Sequence, residues 1–560
     1  MTGSTPQDFL EKAAAALQSG DQAGSLRALR SGIRSHPKNA ELRHAAGRAL
    51  LTQGKADDAA EQFAEAFALA PNHHEHAVDQ SIALTAAGRS REAVEVLATI
   101  EQQARGDAQY CSTRGKAERS AGNMEAAAQW YDRALRIEPN RPKALTGRAN
   151  VAIERGEPRA VRHFDRALKV DPGNPYLWMG MAQALDVEGD HKGALIIMRQ
   201  IADQAPGFTD GLRYLAQLRH ARGDEDFASH FATAAQRVPQ DPNIPDTWCK
   251  TLAALDLTAE AAEIAAAAQK PGATEAHFAL LEAVYAGASG DNERAEAIFA
   301  GLDNESLDRV RHEARHRLRL GQFDAAGRLL DAALQRAPGD IGAWSLRDIL
   351  WRLTGDERAQ WLHGQDGLVQ LRELVGRDGL VDDAVAELRT LHATAPMPLG
   401  QSLRGGTQTR GTLFHRSESI LLELHRAILA TLEEYRSNLP QHDPAHPLLR
   451  HRDTGWRLAG SWSVRLTGRG DHHAAHIHPH GIVSSALYLV LPDEVHEPGS
   501  RKGWLELGRP PRDLGLDLEP LIAIEPRHGH LALFPSSLYH GTTAFDSAER
   551  ITVAFDVVTD

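Results

Sequence analysis

The sequence predicts a multidomain chain, α-helical first and β second: a long array of helical hairpins followed by a small β domain. Three observations carry this. Prolines recur at 37, 71, 139, 172, 206 and 239, separated by 34, 68, 33, 34 and 33 residues. Aromatic residues make up only 6% of the chain while alanine abounds, which suits closely packed helices better than stacked sheets. From residue 461 onward, apolar residues switch to alternation in short runs broken by turn clusters.

A period of 34 residues, with one proline missing near position 105, belongs to tetratricopeptide repeats (TPR), each a pair of antiparallel helices. Gly47, Ala59, Phe63 and Ala66 occupy the expected offsets before Pro71. Gly115, Ala127, Tyr131 and Ala134 do so before Pro139, and Trp178, Leu185, Ala194 and Ala202 before Pro206. Small residues let the two helices of a hairpin approach, a large aromatic fills the gap to the next unit, and proline ends the second helix. A generic alanine-rich bundle would not keep this register.

The signal weakens after Pro239, but Pro271 and Pro338 lie 67 residues apart, and 323–340 (FDAAGRLLDAALQRAPGD) again has the form of a second helix. The solenoid is therefore expected over residues 1–395. Residues 393–414 turn rich in Pro, Gly and Thr, which marks a boundary. GGTQT there lacks the GK[ST] and preceding strand of a phosphate loop, so a structured linker is expected. The linker and an amphipathic helix over 417–435 occupy residues 396–440, and the β domain residues 441–560, with the helix packed outside the barrel.

A net charge of −13 argues against nucleic-acid binding, whose surface would be basic. No apolar run approaches a membrane span, so no membrane partner is expected. Only Cys111 and Cys249 occur, far apart, so a disulfide framework is not expected. The first residues, MTGSTPQDFLEKAAAAL, show no cationic segment followed by an apolar core. The expectation is a cytoplasmic, bacterial protein.

Chemistry concentrates in the β domain. His476 and His478, at i, i+2 just before a strand, put two imidazoles on one side of a turn. His540, delivered from the end of a distant strand, completes a set of three able to hold a metal while leaving positions open. Ten residues later Arg550 opens the alternating strand RITVAFDVV, where a guanidinium suits a two-point clamp on a dicarboxylate. Thr552 shares its face. Alternation in SWSVRL sets Ser461, Ser463 and Arg465 opposite Trp462, Val464 and Leu466, and the polar side is expected to line the barrel mouth.

The segments SWSVRL (461–466), HIHPHGIVSSALYLVLP (476–492), GWLELGRP (503–510), GHLALFPSSLYHGT (529–542) and ERITVAFDV (549–557) together resemble the iron(II)- and 2-oxoglutarate-dependent oxygenases. The closest likeness is to the bacterial branch that follows tetratricopeptide repeats. The resemblance implies a double-stranded β-helix (jelly-roll) and a dioxygenase that consumes O2 and 2-oxoglutarate, releasing succinate and carbon dioxide while hydroxylating a C–H bond. It implies Fe(II) on His476, His478 and His540, with Arg550 and Thr552 on the far carboxylate of 2-oxoglutarate. Tyr488 would add a second hydrogen bond, with Ser484 on the same strand face. His478 stands where the family commonly has Asp or Glu. That leaves open a nearby carboxylate (Asp471, Asp493 or Glu506) as third ligand, or a part for His480. His472, His473, His496, His528 and His530 are expected on the surface or behind the ligands. Joined to an interaction array, the oxygenase is expected to act on a protein or peptide held in the TPR groove.

Two other readings stay open. The run from Gly470 to His478 also fits the first cupin motif, implying a metal enzyme or binding module without 2-oxoglutarate. Against it, Ile482 and Val483 fill the neighbourhood of the cupin glutamate, Ala544 stands where asparagine is expected, and Arg550 has no task. The other is a non-catalytic TPR scaffold with a decayed barrel. A zinc hydrolase is disfavoured, because no HExxH helix carries a base beside the ligands.

Overall fold

The computed structural model describes residues 4–559 except 273, 303–305 and 401. The chain groups into two compact units: Met1–Ala184 with His415–Ser417, and Leu185–Phe414 with Glu418–Asp560. No helix among the described residues is long and apolar enough to cross a membrane.

The first unit is built of helical hairpins, beginning with Pro6–Gln18 and Gln22–Ser35, then Ala40–Thr52 and Ala56–Leu69. Thr5 starts the first helix with a reciprocal cap to Asp8, and Asn39 accepts the backbone N–H of Leu42 at 2.9 Å. The sequence's prolines sit where a second helix has just ended, as at Pro37 after the cap His36 and Pro71 after Ala70. A more regular signal lies in the glycines between the two helices of each hairpin. Gly20, Gly54, Gly88, Gly122 and Gly156 all have positive φ, and this series has no gap where the prolines skip a member. A Cβ on Gly54 or Gly88 would meet nothing within 4 Å, so only the left-handed backbone (φ 73° and 80°) calls for glycine there.

Glycines within helices answer to packing instead. A Cβ on Gly47 would stand 2.7 Å from the Phe63 ring, and one on Gly180 2.2 Å from Phe164. Both rings are fully buried, as the expected roles of small and aromatic residues require. Trp178 differs: it is 37% exposed, and its indole N–H closes the preceding turn by donating to the Pro172 carbonyl at 2.8 Å.

In the second unit the same turn recurs at Gly189, Gly223, Gly290, Gly321 and Gly355, with Asp256 (φ 62°) the non-glycine member. The helical pattern expected to residue 395 is interrupted by a strand, β1 (Gln370–Glu373). The remaining strands are β2 (Leu403–Arg404), β3 (Thr407–Gln408), β4 (Trp456–Leu466), β5 (His472–His473), β6 (Val483–Val490), β7 (Leu505–Leu507), β8 (Ile522–Ile524), β9 (His530–Pro535), β10 (His540–Thr542) and β11 (Arg550–Thr559).

Six of them form one sheet in the order β1-β9-β6-β11-β4-β3, and three form another, β10-β7-β8. Tyr488, Ala532 and Phe534 of the large sheet pack against Leu505, Leu507 and Ile524 of the small one, giving the two-sheet jelly-roll. The outer face of the large sheet buries Val483, Leu487, Leu533, Val553 and Phe555 against Leu380–His392 and Ser419–Ser437. The second of these is the amphipathic helix expected outside the barrel.

Repeat helices also pack on this domain within the unit. Ala314, Leu318, Leu346 and Leu350 share a core with Leu514 and Tyr539. The boundary expected near residue 396 therefore runs through the interior of the second unit.

Two substitutions separate the two uses of glycine. Gly54→Ala should cost about 1 kcal/mol through left-handed strain alone. Gly180→Ala, which must displace a buried ring, should cost roughly 1–3 kcal/mol, seen as a larger drop in the calorimetric melting temperature.

Candidate metal centre

His476 and His540 are paired through their backbones, each N–H donating to the other's carbonyl at 3.0 and 2.9 Å. This bridge sets their side chains next to one another, with ring centroids 4.2 Å apart. His478, two residues on, brings its ring to 5.0 Å from His476 and 4.9 Å from His540. Available nitrogens of the three lie within 4.8 Å of one another.

The protons on these rings can be assigned from their partners. Nδ1 of His476 lies 2.8 Å from the Ala474 carbonyl and Nδ1 of His540 3.1 Å from the Leu538 carbonyl. Nδ1 of His478 bonds the Asp556 carboxylate. Carbonyls and carboxylates only accept, so all three Nδ1 atoms carry hydrogen and Nε2 is the atom each ring has left to offer a metal. Nε2 of His476 and His478 face each other at 3.1 Å, a repulsion that a shared cation would relieve. Burial, then the neighbouring His478, holds His476 down to about 3, and burial followed by His476 and His478 holds His540 well below the usual imidazole range. Both stay neutral and fit to bind metal.

The other candidates are distributed around this cluster. Among the described residues no carboxylate joins the three histidines. Asp471 accepts from the Thr467 backbone at 2.9 Å, Glu506 pairs with Arg509 at 2.6 Å, and Asp493 and His480 are exposed. His473 lies behind His476, with ring centroids 6.2 Å apart and Ser402 Oγ 3.2 Å from a nitrogen of each. His496 pairs with Glu525 at the surface, while His528 and the exposed side of His530 lie away from the cluster.

β11 carries the rest of the site. It is central in the sheet, with Ile551, Val553, Phe555 and Val557 in the outer core, so Arg550, Thr552, Ala554 and Asp556 share the inner face. Arg550 is 2% exposed and forms no ion pair among the described residues. Its Nε and the hydroxyl of Tyr488, 0% exposed, both lack hydrogen-bond partners there. The guanidinium stands 5.6 Å from the Tyr488 ring. Burial lowers its pKa, as expected of a cation held without an anion. Thr552 lies opposite Tyr488 in the strand pairing and is also buried. Ser484 points elsewhere: its hydroxyl is 2.9 Å from Ser536 Oγ and 3.4 Å from His478 Nδ1.

The expectation for β4 is reversed. β4 pairs with β11 so that Trp462, Val464 and Leu466 oppose Ala554, Thr552 and Arg550, and the Trp462 ring lies 5.6 Å from His478. The apolar side faces inward. Ser461 and Ser463 are instead roofed by neighbouring segments, Ser461 Oγ accepting from Phe414 N at 3.1 Å and Ser463 Oγ lying 3.0 Å from His392 Nε2. The linker contributes too, since β2 pairs with β5 and brings Ser402 to the histidines. Asp556 was missed by the sequence reading, although it shares the strand face of Arg550 and Thr552.

Comparison with known proteins agrees with this architecture. Residues 460–556 match the family model described as "Putative 2OG-Fe(II) oxygenase", and residues 48–207 and 10–74 match tetratricopeptide repeat models. No curated protein matches the sequence. Among solved structures, a tetratricopeptide repeat protein from Parabacteroides merdae is 18% identical, covering 43% of this chain and 97% of its own, with a TM-score of 0.37. Pseudomonas aeruginosa PilF is 18% identical over 38% of this chain and 96% of its own, with a TM-score of 0.33. MamA from Desulfovibrio magneticus is 19% identical over 31% and 99%, with a TM-score of 0.29.

Asp556 provides a test of the cluster. Asp556→Ala should weaken divalent-metal binding by about 10–100-fold while leaving the fold intact, measured by chelator competition. The chain thus joins tetratricopeptide repeats to a C-terminal domain that matches the 2OG-Fe(II) oxygenase family.

Proposed function

We propose that the C-terminal domain is an iron(II)- and 2-oxoglutarate-dependent dioxygenase that hydroxylates a side chain of a protein or peptide recruited by the repeats. The observation that carries this is the buried, unpaired guanidinium of Arg550 beside the partnerless hydroxyl of Tyr488. A buried cation needs an anion, and nothing among the described residues supplies one. The far carboxylate of 2-oxoglutarate would satisfy both groups at once, through a two-point contact to Arg550 and a hydrogen bond from Tyr488.

His476, His478 and His540 would hold the metal through Nε2, their Nδ1 atoms being committed elsewhere. When bound, Fe(II), 2-oxoglutarate and O2 would supply oxidative decarboxylation coupled to hydroxylation of a C–H bond. The chain's own share is positioning and dryness. Arg550, Tyr488 and Thr552 orient the co-substrate, Asp556 and Ser484 steady His478, and Phe534 and Trp462 close apolar walls on the imidazoles. A cupin-type use of the barrel would leave Arg550 without a function.

A polypeptide substrate is supported by the cleft beside the cluster. It encloses about 1010 Å³ and is lined by Arg404 of the linker, by His473 and Gly541 of the barrel, and by Asp256, Thr258 and Ala288 of the repeats. A ligand lying in this cleft touches both the array and the segment leading into His476.

The test needs no known substrate. Anaerobic addition of Fe(II) and then 2-oxoglutarate should produce the weak visible charge-transfer band of the chelate. Arg550→Ala should retain metal but bind 2-oxoglutarate at least about 30-fold more weakly, equivalent to about 2 kcal/mol. His540→Ala should lose the metal. Wild-type protein that binds iron, shows no band and turns over no 2-oxoglutarate would transfer the domain to the cupin reading.

A further inference from the structure

We infer that the repeat helices position the metal ligand His540, with Arg315 and His363 gripping the turn that delivers it. The inference rests on the metal-binding reading of the three histidines. His540 opens β10 after a buried turn, Ser536-Ser537-Leu538-Tyr539. Its ring is oriented by the Leu538 carbonyl, and the residues on either side of Leu538 are both held from the array.

On one side, Arg315, in the repeat helix Leu307–Arg319, donates from Nη1 to the Tyr539 hydroxyl at 2.8 Å. The same guanidinium is clamped to Asp513 through Nε at 3.0 Å and Nη2 at 2.6 Å, so it cannot swing. On the other side, His363 Nε2 lies 2.8 Å from Ser537 Oγ, while its Nδ1 is 2.8 Å from Asp348 in the helix Ile341–Thr354.

Asp348, His363 and Ser537 form an Asp–His–Ser chain, but their exposures of 2%, 1% and 2% keep substrate from the hydroxyl. Its use is mechanical. Two anchors spaced two residues apart constrain the peptides on either side of Leu538, and with them the carbonyl that receives the His540 Nδ1–H. Metal sites tolerate only about half an ångström of slack in their ligands, so loosening either anchor is felt at Nε2. Arg315 and His363 are thus positioning residues, and the array is a structural part of the metal centre.

The experiment uses the full chain and cobalt(II) as a probe, with affinity from chelator competition and ligand geometry from the visible d–d spectrum. Ser537→Ala and Tyr539→Phe each delete only the hydroxyl that an array residue holds. Together they should weaken cobalt binding about 10-fold or more and alter the spectrum. Arg347→Met is the control: Arg347 lies in the same helix as Asp348 but bonds Gly327 and Asp331 within the repeats. It should lower the melting temperature yet leave cobalt affinity within about twofold of wild type. If one member of the pair does not fold, the other alone should weaken binding about threefold with a changed spectrum. Wild-type affinity and spectrum in the foldable variants would overturn the inference, as would equal weakening by Arg347→Met. Wild-type protein that takes up no cobalt would instead sink the metal reading itself, and this inference with it.

Discussion

Three imidazoles can converge on one point only if none of them offers a proton there. Here each Nδ1 hydrogen is given away, to the Ala474 carbonyl, the Leu538 carbonyl and the Asp556 carboxylate. Two of these acceptors are main-chain groups two residues before the histidine itself, so the local turn dictates the tautomer. The third is a side chain on the central strand, so the sheet dictates it. The reciprocal backbone bonds between His476 and His540 then join the turn after β5 to the start of β10. Remove the Nδ1 commitments and the rings are free to flip, and the cluster loses its common focus.

The charge balance follows from the same arrangement. A ligand set of three neutral histidines leaves a divalent metal with none of its charge cancelled by the protein. Asp556 places a carboxylate on the far side of the His478 ring from Nε2, polarising the imidazole so that it donates more strongly. Arg550 lies on the same inner face of β11 at the opposite end, buried without an anion. One strand therefore presents a carboxylate towards the histidine end and an unpaired cation six residues away. A 2-oxoglutarate dianion would bring the charge that both metal and guanidinium lack.

Much of this was legible in the sequence because it depends on periodicity. The 34-residue repeat, the i, i+2 histidines and the alternation of RITVAFDVV are all spacing signals. Asp556 belonged to that last signal and was overlooked because it sits six residues beyond Arg550, although period two carries it to the same face. β4 was misjudged for a different reason. Its serines look like a solvent face, and only the covering linker and Leu380–His392 make them internal. Which side of a strand is roofed depends on segments 47 and 71 residues away, and alternation alone carries no sign. The contribution of Ser402 was hidden likewise, since a Gly- and Thr-rich linker gives no hint of what it lies against.

The fading of the repeat signature after Pro239 has a physical cause in the second unit. A repeat in a solenoid answers only to its neighbours, which is what keeps its consensus residues in register. Helices beyond that point answer to the barrel as well. Asp256 occupies a turn position held elsewhere by glycine, accepts the left-handed backbone, and pairs with Arg404 of β2 at 2.6 Å. Ile341–Thr354 is buried from Ile341 through Trp351 without interruption, including Arg347 and Asp348, because repeats cover one side and the turn before β10 is reached from the other. Gly400 of the linker packs so close to the repeats that a Cβ would stand 3.2 Å from Ala254. These departures from the consensus fall at contacts with the β domain or its linker. The repeats are degenerate there because a second packing partner has taken over the choice of residue.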